Sequence, residues 1–252
     1  MKQQQIMGKV LILALSLIVL VVSCADPTEG KPKATVGEAV EIEKGPSGEA
    51  QTTEEGSSTQ PSASEGAQSG TLEGEGQAQG AGGEDSNPVQ SVIYKLDPDC
   101  YIGFASSKVT GTHYGQFSGF DGTIKVPDND PSRMDIDVTI DTSTVDTDNR
   151  ILTSIVKGDE FFDIEKYPTM RFVSTSVKKT SSGYDITGNF TLRGITKSIT
   201  FPATVEIEGD QLKGFAEFSI NRKDWGIVYK GVGDNVIRED VLLTLDVIAK
   251  AQ

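Results

Sequence analysis

Few residues in this chain have the type and spacing that chemistry needs. His113 is the only histidine, so a Cys–His or Ser–His site would have to use it as general base. No nucleophile-elbow pattern lies beside it. Asp128, Asp130, Asp135 and Asp137 resemble a calcium cluster at first sight. They lack the loop spacing and the closing glutamate of a calcium hand. In a strand, Asp135 and Asp137 fall on one face, and solvation accounts for them. Carboxylates paired for glycoside hydrolysis are recognised by their separation in space, and nothing in the sequence singles out a pair. Of the two cysteines, Cys24 closes an apolar run and Cys100 follows Asp97-Pro98-Asp99. A reactive thiol usually has cationic neighbours, whereas Cys100 has two aspartates, so it reads as structural. The inventory predicts no catalytic residue, no metal site and no cofactor, and a protein that is not an enzyme.

Cys24 has a different chemistry. Met1–Lys9 carries two positive charges, and Val10–Val22 is apolar except for Ser16. Thirteen residues make a signal-peptide core, while a bilayer span takes roughly 20. The run ends in Val21-Val22-Ser23-Cys24, which resembles a bacterial lipobox. That resemblance implies that the signal region 1–24 is cleaved just before its last residue, so that residues 1–23 are removed and Cys24 is lipidated as the first mature residue. With Cys24 modified, only Cys100 remains and no intramolecular disulfide is available.

The elements that position these residues begin late in the chain. The formal net charge is −14, and residues 25–90 hold 13 acids against 3 lysines, with 12 glycines and no aromatic residue. Such a stretch cannot bury a core. It reads as a disordered acidic Gly/Ser/Glu-rich tether, with a mean span of roughly 45 Å and a contour limit on the order of 220 Å. All aromatic residues lie at or after Tyr94, so the folded domain is expected over 91–252, long enough for one core. An acidic surface without a basic cluster argues against a nucleic-acid partner.

Within 91–252 the pattern alternates with period two. Met134, Ile136, Val138 and Ile140 interleave with aspartate and threonine, and Tyr184, Ile186, Phe190 and Leu192 keep step with Gly188. Similar runs cover 199–207, 212–220 and 241–249. This is the signature of strands with one buried and one wet face. Turn signals separate them at Pro127-Asp128-Asn129-Asp130, Ser181-Ser182-Gly183, Arg193-Gly194 and Gly209-Asp210. The spacing predicts an antiparallel meander, sandwich or barrel. Ile151, Leu152, Ile155 and Val156 fall instead at helical spacing, with Thr147 or Asp148 as cap and Gly158 as stop. A short helix there could cover one mouth of a barrel.

Four segments then carry a resemblance. They are Lys108–His113 leading into Gly115–Gly122; Phe161-Phe162-Asp163 before Tyr167–Phe172; Thr187–Lys197; and Ile220–Ile227 with its Arg222, Trp225 and Gly226. Together, over about 155 residues from Tyr94 to Ala249, the domain resembles the YceI-like family, lipocalin-like bacterial proteins linked to polyisoprenoid binding. The resemblance implies an all-β fold, an antiparallel eight-stranded lipocalin-like barrel with one short helical excursion. It places His113 in a turn before a strand, where a surface or hydrogen-bonded role suffices. The chain departs from the family where Ile155-Val156 stands in place of a common His-Leu pair.

The remaining candidate site is the barrel interior. Met134, Ile136, Ile140, Phe172, Phe190, Leu192, Phe201 and Phe218 are expected to face it. From the residues alone a solid core is the favoured outcome, as in many small barrels; the resemblance turns the expectation to a ligand-holding lumen for an apolar isoprenoid or quinone-like chain. Arg222 and Trp225 read either as strand-end structural residues or as the frame of an entrance. The expected protein is anchored by lipid in the bacterial cell envelope and binds a long apolar ligand for transport, storage or sequestration. The alternative is a non-catalytic envelope interaction module with a solid core.

Overall fold

The computed structural model describes residues 26–41, 90–108, 110–231 and 236–252. The expected signal segment with Cys24, and residues 25 and 42–89 of the expected tether, lie outside the described residues. In chain order the elements are β1 (Thr35–Glu38), β2 (Ser91–Leu96), β3 (Tyr101–Lys108), β4 (Gly111–Phe117), β5 (Phe120–Pro127), β6 (Asp135–Asp141), β7 (Val145–Thr147), α1 (Arg150–Lys157), β8 (Thr169–Lys179), β9 (Tyr184–Leu192), β10 (Ile195–Glu208), β11 (Gln211–Asn221) and β12 (Ile237–Ala251). Short 3-10 turns sit at Pro131–Arg133, Thr142–Thr144 and Arg222–Trp225.

Antiparallel pairing runs β2-β5-β6-β8-β9-β10-β11-β12 and returns from β12 to β2, closing an eight-stranded barrel. β3, β4 and β7 continue the bent strands of β2, β5 and β6 beyond one end of that ring, with β3 against the first half of β12. Asp128 and Asn129, in the β5–β6 connection, tolerate left-handed backbone and have φ of 52° and 56°; the two-residue β9–β10 turn, Arg193-Gly194, has φ of 51° and 71°. Positive φ at both central residues of the β9–β10 turn matches the twist of a hairpin.

Two glycines make room for aromatic rings across the sheet. A Cβ on Gly188 would stand 2.4 Å from the Phe172 ring, and one on Gly115 would stand 2.3 Å from the Phe104 ring. Each ring lies over the bare backbone opposite it, and any side chain at either glycine would displace it.

Helix α1 forms where the helical spacing placed it, though its cap differs from the expected one. Asn149, rather than Thr147 or Asp148, accepts from the Ile151 and Leu152 amides at 2.9 and 3.1 Å. Thr147 is the end of β7, and Asp148 turns back to bind Tyr114 N. Cys100 is buried, with its thiol 3.1 Å from the Ile248 carbonyl.

One correction concerns the tether. Residues 26–41 do not hang free; they dock on the barrel wall. β10 and β11 pair only from Thr204↔Phe215 to Glu208↔Gln211 and then splay apart. The exposed edges of that seam are filled by the N-terminal segment. β1 pairs with β10 from Thr35↔Thr200 to Glu38↔Lys197. On its other side Ala34 N donates to Ser219 O and Ser219 N to Pro32 O, both at 2.9 Å. Ala34 is buried and Val36 packs on the core. Flanking ion pairs join Lys31 to Glu217, Lys33 to Asp240 at 2.7 Å and Asp26 to Arg238 at 3.0 Å. The physical reason is the unpaired seam: its free N–H and C=O groups take any nearby strand, and Ala34 and Val36 present the small apolar face that fits. The stretch from Cys24 to the barrel is therefore one residue, Ala25, before the docked strap begins.

Candidate functional site

The lumen is hollow. A cavity of about 470 Å³ runs through the barrel, walled almost wholly by aliphatic and aromatic side chains. That lies within the range of ordinary ligand pockets. The solid core weighed from sequence is not what the strands enclose. An eight-stranded ring is just wide enough for its side chains to fill it or for one ligand to enter. Here the small inward positions Gly214, Ala216 and Ala203 leave part of that width empty.

All eight sequence-predicted residues stand on the cavity wall: Met134, Ile136, Ile140, Phe172, Phe190, Leu192, Phe201 and Phe218. Phe201 stacks on Phe218 with centroids 4.2 Å apart and rings 10° from parallel, and Phe172 leans on Phe201 at 5.6 Å. Phe190 meets Trp225 edge-on at 5.4 Å. These contacts fix the aromatic part of the wall in place.

The wall also holds residues that sequence reasoning missed. Phe104, Phe117 and Phe162 form a three-ring cluster with centroids 5.5 to 5.8 Å apart. Leu152, Ile155 and Val156 bring the inner face of α1 onto the cavity, and Phe161 and Tyr229 touch at 5.3 Å nearby. The Phe161-Phe162 pair was visible as a motif, but no periodicity said which way its rings point. The helix lies against that end of the barrel and contributes to the cavity wall there.

Arg222 and Trp225 are structural. Trp225 is fully buried and its indole donates to Phe190 O at 3.2 Å. Arg222 is 4 % exposed. Its guanidinium donates to four carbonyls: Arg238 at 3.0 Å, Ile227 at 2.5 Å, Tyr229 at 2.6 Å and Ile237 at 3.3 Å. Burial pushes its pKa below the usual arginine value. The planar fork suits several carbonyls at once, so Arg222 ties the segment after the last 3-10 turn to the start of β12.

The polar candidates are dispersed. His113 lies within β4 rather than in a turn, because the β3–β4 hairpin turns earlier, between Lys108 and Gly111. Its Nδ1 is 3.0 Å from Asp148 Oδ1, at the cavity's rim. Ser106 stands opposite His113 in the register, yet no hydrogen bond joins its hydroxyl to the imidazole. Asp130 caps its own 3-10 turn through Ser132, Asp128 pairs with Arg133, and Asp137 is bidentate to Arg171 at 2.9 and 2.6 Å. Among the described residues no group of three His, Cys, Asp or Glu side chains is placed to hold a metal ion. Burial pushes the Cys100 thiol above its ordinary pKa. The arrangement can dissolve an apolar molecule, and its polar groups serve turns and strand ends.

Comparison with known proteins gives a consistent picture. A family model described as YceI-like domain matches residues 94–249. Protein YceI of Salmonella newport (strain SL254) is 37% identical over 144 residues, spanning 53% of this chain and 75% of the relative. Its counterpart in Salmonella arizonae has the same identity and coverage. Among solved structures, Burkholderia cenocepacia BcnA aligns with a TM-score of 0.56 at 22% identity, over 62% of this chain and 99% of that one. A polyisoprenoid binding domain from Saccharophagus degradans, implicated in plant cell wall breakdown, aligns with a TM-score of 0.52 at 17% identity, over 63% and 98%. At these identities the two structures support the fold.

Proposed function

This chain belongs to the YceI-like domain family, and on that footing we propose that it is a non-catalytic binding protein that holds a long apolar chain in its barrel lumen. The observation that carries the reading is the hollow, apolar cavity of about 470 Å³. Each CH₂ moved from water into such a lumen contributes about 0.8 kcal/mol, so shape and length alone give affinity and no charged partner is needed inside. A polyisoprenoid or quinone-like tail fits that chemistry, and a structural relative is named as a polyisoprenoid binding domain. The lipobox at Val21–Cys24 supports lipid anchoring at Cys24. More than one acyl chain makes such an anchor durable. The protein then works in the bacterial cell envelope, at the periplasmic face or the cell surface, in transport, storage or sequestration of its ligand.

Native mass spectrometry of the protein purified from its own host tests this. A co-purifying apolar lipid, exchangeable for added polyprenol, is the expected result. A protein free of lipid that takes up no polyprenol would sink the proposal. Phe190→Arg places a charge on the wall and should abolish binding; a folded variant that still binds would remove the lumen as the site. Acyl labelling that persists in Cys24→Ala would refute the anchor.

A further inference from the structure

One end of the barrel differs from the other in its surface. The β3–β4 hairpin, α1, the segment 158–168, the β9–β10 turn and residues 226–231 all gather there. Tyr114 and Ile155 border the cavity at this end and are 57% and 48% exposed. Around them stand large apolar side chains that are not part of the wall. Ile151 is 74% exposed, Val228 60% and Val236 52%. On α1 Leu152, Ile155 and Val156 line the cavity, with Ile155 at its half-exposed margin, while Ile151 faces outward. A short helix that is apolar on both faces has a second apolar partner to find. The charges nearby are of both signs: Lys108, Arg150 and Lys157 against Asp148, Asp159 and Glu160.

The strap says what the partner is. Its first described residue, Asp26, is paired at 3.0 Å with Arg238, next to Ile237 of the cavity wall. Cys24 is two residues upstream, at most about 7 Å of extended chain. A lipid on Cys24 therefore holds this end of the barrel, and not the opposite one, beside the bilayer.

We propose that this end of the barrel is a bilayer-docking face. Ile151, Val228 and Val236 seat in the interfacial layer of a phospholipid membrane around the mouth, and the lumen opens onto the acyl region. An apolar chain then passes between membrane and lumen without its length being exposed to water, which is the costly part of any aqueous route. With mixed charge at the rim, the contact is driven by apolar burial and depends little on salt. The inference rests on the lipid-binding reading for its purpose and on the Cys24 anchor for its orientation.

The test uses the mature lipid-modified chain reconstituted in phosphatidylethanolamine–phosphatidylglycerol vesicles carrying brominated acyl chains, with the mass of Cys24 read in the same preparation. Ile151→Trp should be quenched at least twofold relative to the parent, whose Trp225 is buried. Ser182→Trp, in the turn at the opposite end, should not be. Unquenched Ile151→Trp on an anchored protein, or quenching at Ser182→Trp, overturns the inference. So does self-association that covers Ile151 without vesicles, which would assign the face to a second copy. In a second arm, Ile151→Glu with Val228→Glu should slow transfer of a polyprenol from vesicles at least tenfold while leaving its binding from detergent micelles unchanged. Equal transfer rates overturn the inference. If the parent binds no polyprenol from micelles, the lipid-binding reading fails, and the quenching result still decides the docking face.

Discussion

Replacing Gly214 with leucine separates a lumen that is room for a ligand from one that is only a loosely packed core. Gly214 lies on the lumen face of β11, opposite Val205 and Val247. A Cβ there would meet Val247 Cβ at 3.6 Å and Thr204 O at 3.8 Å, which is ordinary contact, and its backbone is not in the left-handed region. A leucine therefore enters without strain and projects four carbons. Glycine in a strand interior costs roughly 0.5–1 kcal/mol, so the variant should be more stable by about that much. For a domain of this size the melting temperature rises by about 2–4 °C per kcal/mol. The same four carbons displace about four carbons of a bound chain. At about 0.8 kcal/mol each this is ~3 kcal/mol, or about two decades in Kd. Thermal denaturation and titration with detergent-solubilised polyprenols of graded length read the two effects separately. The expected outcome is opposite shifts, with short chains less affected than long ones. A fall of more than about 5 °C would mean that the space is absent and the site overpacked. Unchanged affinity at every chain length would mean that the ligand does not occupy the lumen.

Arg222→Met should cost about 1–3 kcal/mol, because it leaves the carbonyls of Ile227, Tyr229, Ile237 and Arg238 without their donor; denaturant unfolding measures it, and Arg222→Lys should not rescue, since one ammonium cannot reach all four. The strap should loosen in acid. Burial by itself raises the Asp26 carboxyl, but the Thr28 hydroxyl and amide together with Arg238 outweigh it and hold the pKa below the ordinary value. A depressed folded pKa means that the contribution is complete above the usual carboxylate range near ~4 and is lost as pH falls through the lower, docked value. Hydrogen exchange at Ala34 and along β1 should accordingly accelerate at acid pH ahead of global unfolding; simultaneous loss of both would refute a separately held strap. Cys100 should resist alkylation at neutral pH until the protein unfolds, because burial raises its pKa and the thiol is tied to Ile248; prompt modification of the native protein would contradict its structural role.

The strands of the barrel were legible because burial on one face imposes a period of two that local sequence must obey. Runs such as Met134–Ile140 and Tyr184–Leu192 therefore showed both the elements and their inward side, and all eight inward candidates stand on the cavity wall. The aromatic asymmetry marked the start of the barrel for a similar reason, since a core needs bulk. Three things were not legible. Helix α1 showed its period but not its two apolar faces, because Ile151 and Leu152 look alike until a neighbour covers one of them. Phe161 and Phe162 lie in irregular backbone, where no periodicity says which way a ring points. The strap hid inside an acidic, glycine-rich stretch, since Ala34 and Val36 make too short an alternation to be read without the seam that receives them.

By itself the amino-acid sequence determined the all-β fold class and the inner faces of the strands, both of which follow from local patterning and composition. Only the tertiary structure decided that the lumen is hollow, that the tether's first residues complete the wall and that one end is rimmed with exposed isoleucine and valine. Those three depend on the distance between segments far apart in the chain. Whether eight inward faces meet or leave a gap, and whether β10 and β11 stay paired or splay, are questions of volume and register that no single strand encodes.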